Sequence, residues 1–258
     1  MVLRLPGLRD TLLSRRARRR WRRAADEAGT MDAATLARVL PAAREMSAAA
    51  QELVATAEAR LHDHAAACEG AVAPSEWRWR PAPWSARMVP HAIAGAGDGT
   101  SLAPGVTLFH DCPLAEITLR QGRSVEARSS APYALSLDVL GFEGTFLSLA
   151  MDLPDAAARA LRATHLIDVS ARLASERAMT VYARLNLRHG PNVEQLVSAL
   201  SPGDRPAGEV GGAFDLGLQD INPAKMEAAW IDLIFDDPGM NAVRVDDLVL
   251  TRRPRADL

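Results

Sequence analysis

The chain has 258 residues and a formal net charge of −2, so it can bury a sizeable core in one or two domains, and its overall charge indicates no class of partner. No apolar run is long enough for a transmembrane helix, and no apolar segment follows the first charges as a secretory signal would require. The two cysteines, Cys68 and Cys112, predict no disulfide framework. We therefore expect a cytoplasmic protein, with a peripheral position at the inner membrane as the alternative.

Positive charge is concentrated in the first segment of the chain. Residues 1–23 carry nine arginines against one aspartate, a local charge of +8 that leaves −10 for the remainder. A helix is predicted over residues 8–27, because leucines are followed by R-R-A-R-R-R-W-R-R and no helix breaker occurs before Gly29. An apolar stripe beside the basic cluster is expected from Leu5, Leu8, Leu12 and Leu13.

This basic helix suits attachment to an anionic membrane surface or to a protein partner. Trp21 inside the arginine run favours a membrane interface, where indole rings concentrate. The alternatives are a solvated basic tail and nucleic acid, and nucleic acid is the partner that we least expect.

A second, alanine-rich helix is predicted from Asp32, a residue type that caps helices, to about Glu69. Its apolar residues recur at spacings of three and four, close to a heptad pattern. Such a helix cannot bury its stripe alone, so it packs within the chain or forms a coiled coil with a second copy, a homo-oligomer. We place a domain boundary after it, with a helical segment over residues 1–72 and a β domain over residues 73–258.

The rest of the chain consists of short segments in which apolar and polar residues alternate, the period expected of strands. W-R-W-R at residues 77–80 predicts an entering strand whose tryptophans plug one end of the core, and a ligand patch is the alternative. Further strands are predicted through Val125 and Ala127, and a polar loop is expected between Pro202 and Gly212. Many short strands without regular intervening helices predict a mainly β fold, an antiparallel β-sandwich of jelly-roll type.

The last two strands are predicted to form a closing hairpin. In W-I-D-L-I-F, Ile231, Leu233 and Phe235 share one face, and the turn that follows is rich in Asp, Pro, Gly and Asn. The last strand, V-R-V-D-D-L-V-L, changes phase between Asp246 and Asp247, which predicts a β-bulge.

Candidate ligand-binding residues lie on the polar faces of these predicted strands. Arginine, aspartate, asparagine and an aromatic residue are the types that hydrogen-bond sugar hydroxyls and stack on a sugar ring. The alternative is a solvated sheet with cross-strand ion pairs. The residues selected, which converge only if their strands are neighbours, are Asp138, Arg172, Tyr182, Arg184, Asn186, Trp230 and Asp232.

Motifs of catalysis do not occur in the sequence: it contains no GxSxG, HExxH or Walker loop. His110, Asp111 and Cys112 are adjacent, but neighbouring residues in a strand point to opposite faces, so they are not expected to converge. Five aspartates crowd the closing strands and turn, and carboxylate oxygens suit calcium.

The W-I-D-L-I-F strand, the turn and the closing V-R-V-D-D-L-V-L strand resemble the end of a galactose-binding-like jelly roll, the β-sandwich of many non-catalytic carbohydrate-binding modules. The resemblance covers about residues 76–258, and the whole chain also resembles short bacterial proteins of unknown function. It implies a carbohydrate ligand and a structural calcium ion for which Asp246 is the candidate ligand; no other cofactor is implied.

Together these features predict a non-enzymatic binding or adaptor protein. Its sandwich would recognise a carbohydrate-like or protein ligand, and its basic helix would attach it to a surface or to copies of itself. One alternative is a carbohydrate-active enzyme that uses Asp138 and Asp232 as acid and base. The other is a purely structural assembly protein organised by the second helix.

Overall fold

A computed structural model describes residues 8–68, 75–124, 131–200, 207–219 and 221–255. The chain divides into two compact units, Met1–Val54 and Ala55–Leu258. The predicted domain boundary between residues 72 and 73 and the predicted strand at Val125 and Ala127 lie outside the described residues. Among the helices of the described ranges, none is both long and apolar enough to cross a membrane.

Two long helices form the first part of the chain, α1 (Leu8–Glu27) and α2 (Ala33–Cys68). The Asp32 side chain accepts a hydrogen bond from the Thr35 backbone N–H at 2.8 Å, as expected of an N-cap. Pro41 lies inside α2 without ending it. Both predicted helices are confirmed, whereas self-association through α2 stays a prediction.

Beyond residue 75 the described chain is mainly β, with two short α-helices, α3 (Ala82–Ser85) and α4 (Asp155–Arg159), and two single-turn 3₁₀ helices, Leu216–Leu218 and Pro223–Lys225. The strands are β1 (Trp77–Trp79), β2 (Ala92–Ala94), β3 (Thr100–Ala103), β4 (Val106–His110), β5 (Ile117–Arg123), β6 (Tyr133–Val139), β7 (Leu147–Asp152), β8 (His165–Ser175), β9 (Val181–His189), β10 (Asn192–Ala199), β11 (Ala207–Asp215), β12 (Met226–Phe235) and β13 (Asn241–Pro254).

These strands form two antiparallel sheets that pack as a sandwich, which confirms the predicted fold class. Sheet A has the strand order β11-β8-β13-β6-β5-β2, with β1 also paired to β13. Sheet B has the order β10-β9-β12-β7-β4-β3. The chain changes sheet repeatedly, from β6 to β7 and from β8 to β9, as a jelly roll does.

The core lies between the sheets and is filled by every second side chain of each strand, those that point inward. In sheet B, β7, β9 and β12 supply side chains that are almost completely buried, among them Leu149, Leu185 and Ile231. In sheet A, β6, β8 and β13 supply Leu137, Val169 and similar residues. The remaining side chains of each strand therefore lie on the outer face of its sheet.

The two closing strands do not form the predicted hairpin. β12 pairs with β7 and β9 in sheet B, whereas β13 pairs with β6 and β8 in sheet A. The turn between them carries the chain from one sheet to the other, with Asp237 and Met240 at positive φ. Alternation and turn residues predict two strands and a reversal, but they do not state whether the strands pair. The bulge is confirmed, because the β13–β8 register shifts between Val245 and Asp247.

A second prediction that the structure corrects is the polar loop up to Gly212. β11 begins at Ala207 and pairs with β8 through Gly211 and Gly212. A Cβ added at Gly211 would lie 3.1 Å from the Val169 carbonyl oxygen, so glycine permits a close approach of the backbones. The glycines that indicated a loop therefore belong to an edge strand.

Tryptophans close one end of the core. β1 adds Trp77 and Trp79 beside β13, with their rings stacked 6.3 Å apart, and both are partly buried. The fully buried plug is Trp84 in α3, whose indole N–H donates to the Val245 carbonyl at 2.8 Å. The entering strand is thus confirmed, and its tryptophans pack at the core margin beside Trp84.

Trp84→Ala tests this plug. The substitution removes a buried indole and leaves the Val245 carbonyl without its donor, so we expect the free energy of unfolding to fall by about 3–5 kcal/mol. Chemical denaturation measures it, with Leu140→Ala at a side chain that is largely exposed as the control. Equal small losses in both variants would contradict the role assigned to Trp84.

Candidate functional site

The outer face of sheet B gathers four of the residues selected from the sequence. Antiparallel pairing puts Asp232 of β12 opposite Arg184 of β9, and Trp230 opposite Asn186. On the next strand, Gln195 of β10 stands opposite Asn186. Because directly opposite residues share a face, these side chains form one continuous polar patch.

Asp232 is the centre of this patch. Its Oδ2 accepts hydrogen bonds from Arg184 Nε at 2.8 Å and from Asn186 Nδ2 at 2.9 Å, and Arg184 Nη2 lies 2.8 Å from the same oxygen. Gln195 Nε2 in turn donates to Asn186 Oδ1 at 2.9 Å. Asp232 is 3% exposed and Asn186 is fully buried, so the network is fixed in place beneath the surface.

One oxygen of Asp232 remains available for another donor. The hydrogen bonds to its carboxylate all meet Oδ2, and within the described ranges no donor reaches Oδ1. The Arg184 side chain is 35% exposed and Gln195 is exposed, so both have polar atoms that solvent or a ligand can reach. The patch therefore offers an acceptor beside donors.

Apolar and aromatic side chains enclose the patch and make it a cleft of about 380 Å³. Trp230 lies within the patch, and Phe109 and Phe146 are large side chains exposed by 39% and 43%. The other lining residues are Asp98, Ser148, Ala150 and Ile234. A flat network of hydrogen-bonding groups is thus combined with aromatic rings in one depression.

Phe146 is positioned by a loop that Asp111 holds. Asp111 Oδ1 accepts from the backbone N–H groups of Thr145 at 2.7 Å and Phe146 at 3.1 Å, and Oδ2 accepts from the Thr145 hydroxyl at 2.6 Å. These bonds, that of the hydroxyl first, lower the pKa of Asp111 below its ordinary value. A Cβ at Gly144 would lie 2.5 Å from Asp111 Oδ1, so this close approach requires glycine.

His110, Asp111 and Cys112 make separate structural contacts, with His110 at the end of β4 and the other two beyond it. The buried His110 ring contacts the Ala96 carbonyl oxygen through Nε2 at 3.0 Å. Cys112 Sγ accepts from the Glu143 N–H at 3.4 Å, in the same loop that Asp111 holds. The three side chains do not converge on one point.

Tyr182 lies at the edge of the cleft and not inside it. It stands opposite Ile234 on β12 and lines a second, smaller cavity of about 160 Å³. Phe146 and Ile234 line both cavities, so the two are adjacent. Asp236 and Asp237 of the crossing turn border the smaller one.

Two selected residues, Asp138 and Arg172, are in the other sheet. Asp138 of β6 accepts from Arg120 at 2.7 Å, and Arg172 of β8 is ion-paired with Glu209 of β11. Arg253 and Asp168 form a similar pair at 2.7 Å on the same sheet. The outer face of sheet A thus carries cross-strand ion pairs, the alternative considered for the whole set. The sequence did not indicate that β8 and β9 belong to different sheets.

This arrangement separates the predicted acid–base pair. Asp232 belongs to sheet B and Asp138 to sheet A, on opposite outer faces of the sandwich, so they cannot flank one glycosidic bond. The enzyme hypothesis based on this pair is therefore not supported.

Asp246, the predicted calcium ligand, occupies the bulge of β13. It is 5% exposed, and its Oδ1 accepts from Arg244 Nε at 2.7 Å. No group of three or more His, Cys, Asp or Glu side chains within the described ranges could hold a metal ion. Calcium takes about six to eight oxygen ligands, and its binding at Asp246 stays a prediction.

Sequence reasoning missed Phe109, Phe146 and Gln195. Phe109 could have been found from the alternation in V-T-L-F-H. Val106 and Leu108 point into the core, so Phe109 between them and His110 lies on the outer face. Gln195 and Phe146 join the site through strand order and through a loop, which alternation does not encode.

The Asp111 clamp can be tested by Asp111→Ala. We expect faster hydrogen exchange at the Thr145 and Phe146 amides, because their acceptor is removed. Folding lowers the pKa of Asp111. The stability that its hydrogen bonds contribute is therefore complete above the pKa of the unfolded state and is lost as pH falls through the lower pKa of the folded state. NMR measures amide exchange in the variant and in the wild type, and it follows the pH dependence in the wild type. Asp155→Ala, at an exposed i,i+4 pair with Arg159, is the control. Unchanged hydrogen exchange at both amides in Asp111→Ala would contradict the role assigned to Asp111.

Solved structures similar to this chain include several carbohydrate-binding modules. A family 11 carbohydrate-binding module from Clostridium thermocellum, in complex with a mixed-linked tetrasaccharide, has a TM-score of 0.38 at 12% identity, covering 59% of this chain and 92% of that one. A putative sugar binding protein from Bacteroides thetaiotaomicron has a TM-score of 0.39 at 12% identity, covering 61% and 92%. These neighbours belong to the class of β-sandwich modules that the sequence resembles.

The enzymatically active domain of tailspike protein 4 from bacteriophage CBA120 is also similar, with a TM-score of 0.41 at 9% identity over 61% of this chain. The match covers only 21% of the tailspike chain. No curated protein matches the sequence. A family model matches residues 1–258, so the chain belongs to DUF6478, a family of unknown function.

Proposed function

We propose that the protein is a non-enzymatic binding protein that recognises carbohydrate in the cleft of sheet B. The observation that carries the proposal is the buried Asp232 network beside Trp230, open at the surface through Arg184 and Gln195. A sugar presents hydroxyl groups, which donate and accept, around a ring with apolar C–H faces. The cleft offers partners for both.

The hydrogen-bonding half of the cleft is organised before a ligand binds. Asp232 Oδ1 accepts from a sugar hydroxyl, while Arg184 and Gln195 donate to sugar oxygens. Because Asn186 and Arg184 already hold the carboxylate, no side-chain ordering is needed at its position. Bonds to charged groups are also the stronger ones, about 1.5–3 kcal/mol each.

The aromatic half supplies the apolar contact. Trp230 lies in the same patch as Asp232, and Phe109 and Phe146 stand exposed around it. Large exposed aromatic rings are costly in water, so their grouping around buried polar residues favours a ligand with both characters. A purely apolar ligand would leave the Asp232 network without hydrogen bonds at the surface.

The contacts of the carboxylates in the cleft favour binding over hydrolysis. The Asp232 carboxylate is paired with Arg184, whereas a glycosidase needs two carboxyl groups that flank the glycosidic bond. The only other carboxylate of the cleft lining within the described ranges, Asp98, accepts from the His110 backbone N–H. A protein ligand is the other outcome that the test below distinguishes.

Paired variants test the proposal on the full-length chain. Asp232→Asn and Arg184→Ala should each weaken binding to oligosaccharides identified on a glycan array by about tenfold to hundredfold, measured by calorimetry. The matched controls are Asp138→Asn and Arg172→Ala, the same residue types on sheet A, and these should bind like the wild type. Thermal melting of all four variants separates lost binding from lost folding.

Two outcomes would contradict the assignment. Equal losses of oligosaccharide affinity in the sheet A and sheet B variants would show that the ligand does not bind in the cleft. An array without any bound glycan, followed by capture of a protein that Asp232→Asn fails to bind, would assign the cleft to a protein ligand.

A further inference from the structure

Helix α1 presents an unusual density of positive charge. Its described arginines Arg16, Arg18, Arg19, Arg20, Arg22 and Arg23 are all exposed. At 3.6 residues per turn they cover an arc of roughly 200° around the helix axis. The one described ion pair among them joins Arg23 to Glu27, one turn away. Most of this charge is thus directed at solvent.

The remaining arc of α1 is apolar and faces α2. Ala17, Trp21 and Ala24 are spaced by four and three residues, so they form one stripe, and Trp21 and Ala24 are half-buried. On α2, Val39 and Ala43 are likewise half-buried at a spacing of four. Trp21 therefore packs in the seam between the helices and does not project from the helix as an independent membrane anchor.

A groove runs along each side of this seam, and each combines an apolar floor with arginine walls. One, of about 660 Å³, is lined by Trp21, Ala43 and Met46 together with Arg18 and Arg22. The other, of about 560 Å³, is lined by Trp21, Val39 and Ala42 together with Arg16, Arg20 and Arg38. The two sides of α1 thus repeat the same chemistry.

We propose that this helical pair is a docking surface for an anionic phospholipid bilayer. Lipid phosphates pair with the guanidinium groups, and the glycerol and upper acyl region contacts Trp21 and Met46 in the grooves. Attraction of this type is worth about fivefold in affinity per arginine near an anionic leaflet, and several arginines add up to stable attachment. The proposal is independent of the sugar cleft, which belongs to other strands and other chemistry.

Other occupants satisfy only part of this surface. A nucleic acid backbone would neutralise the arginines but leave the groove floors uncovered. A second copy docking through the same face would bring two arginine clusters together, which repel each other. A bilayer surface supplies both the negative charge and the apolar contact.

The test uses full-length protein and sedimentation with two kinds of vesicle. One is phosphatidylcholine alone, and the other contains equal parts of phosphatidylcholine and phosphatidylglycerol. We expect binding to the anionic vesicles only, weakened by added salt. Replacing the groove arginines Arg16, Arg18, Arg20 and Arg22 by Gln should reduce affinity on the order of hundredfold.

A charge-matched control replaces four exposed arginines of the sandwich by Gln, namely Arg87, Arg120, Arg123 and Arg159. Its net charge changes by the same amount, and its vesicle binding should stay close to that of the wild type. Met46→Gln tests the groove floor and should weaken vesicle binding severalfold without affecting binding to duplex DNA. Circular dichroism checks that the helices remain, since glutamine is a good helix former.

Three results would overturn the proposal. Equal loss in the control would show that only the overall charge matters. Equal binding to neutral and anionic vesicles would show that the arginines do not recognise anionic lipid. Tight binding to duplex DNA without vesicle binding would assign the helix to nucleic acid.

Discussion

The register between β9 and β12 is the constraint on which the site depends. One phase of these strands, including Leu185 and Ile231, fills the core, so the opposite phase must lie on the outer face. Register then puts Asp232 opposite Arg184, where the charges can meet. A slip by one residue would move Asp232 into the core and the core residues to the surface. The packing that stabilises the sandwich thus also assembles the cleft.

The outer faces of the two sheets carry the same types of charged residue in different surroundings. On sheet A, aspartates and arginines form cross-strand pairs, such as Asp138 with Arg120 and Asp168 with Arg253. On sheet B the corresponding pair, Arg184 with Asp232, is joined to Asn186 and lies among aromatic rings. Burial and aromatic neighbours distinguish the cleft, since ion pairing occurs on both sheets.

Period-two alternation and capping chemistry made most of the fold predictable. The cap at Asp32 identified the helix that begins at Ala33, and alternation identified most strands of both sheets and the bulge at Asp246, but not β11. They could not distinguish a hairpin from a crossing at residues 236–240, because a turn has the same residues in either case. Alternation also does not assign strands to sheets, and this is why the sequence prediction groups Asp138 and Arg172 with Asp232. The contribution of Phe146 depends on a loop held by Asp111, which alternation does not encode.

The cleft and the arginine helix offer interactions of different range, so the two proposed partners would be bound by unlike chemistry. Bonds to Asp232 are short, directional and buried, so salt affects them little. The charge on α1 is exposed and acts over about a Debye length, so salt screens it. Ionic strength should therefore control the proposed attachment through the helix while leaving the proposed sugar recognition unchanged. Under these two proposals, the chain would bind its ligand in the cleft while the helix holds it at a charged surface.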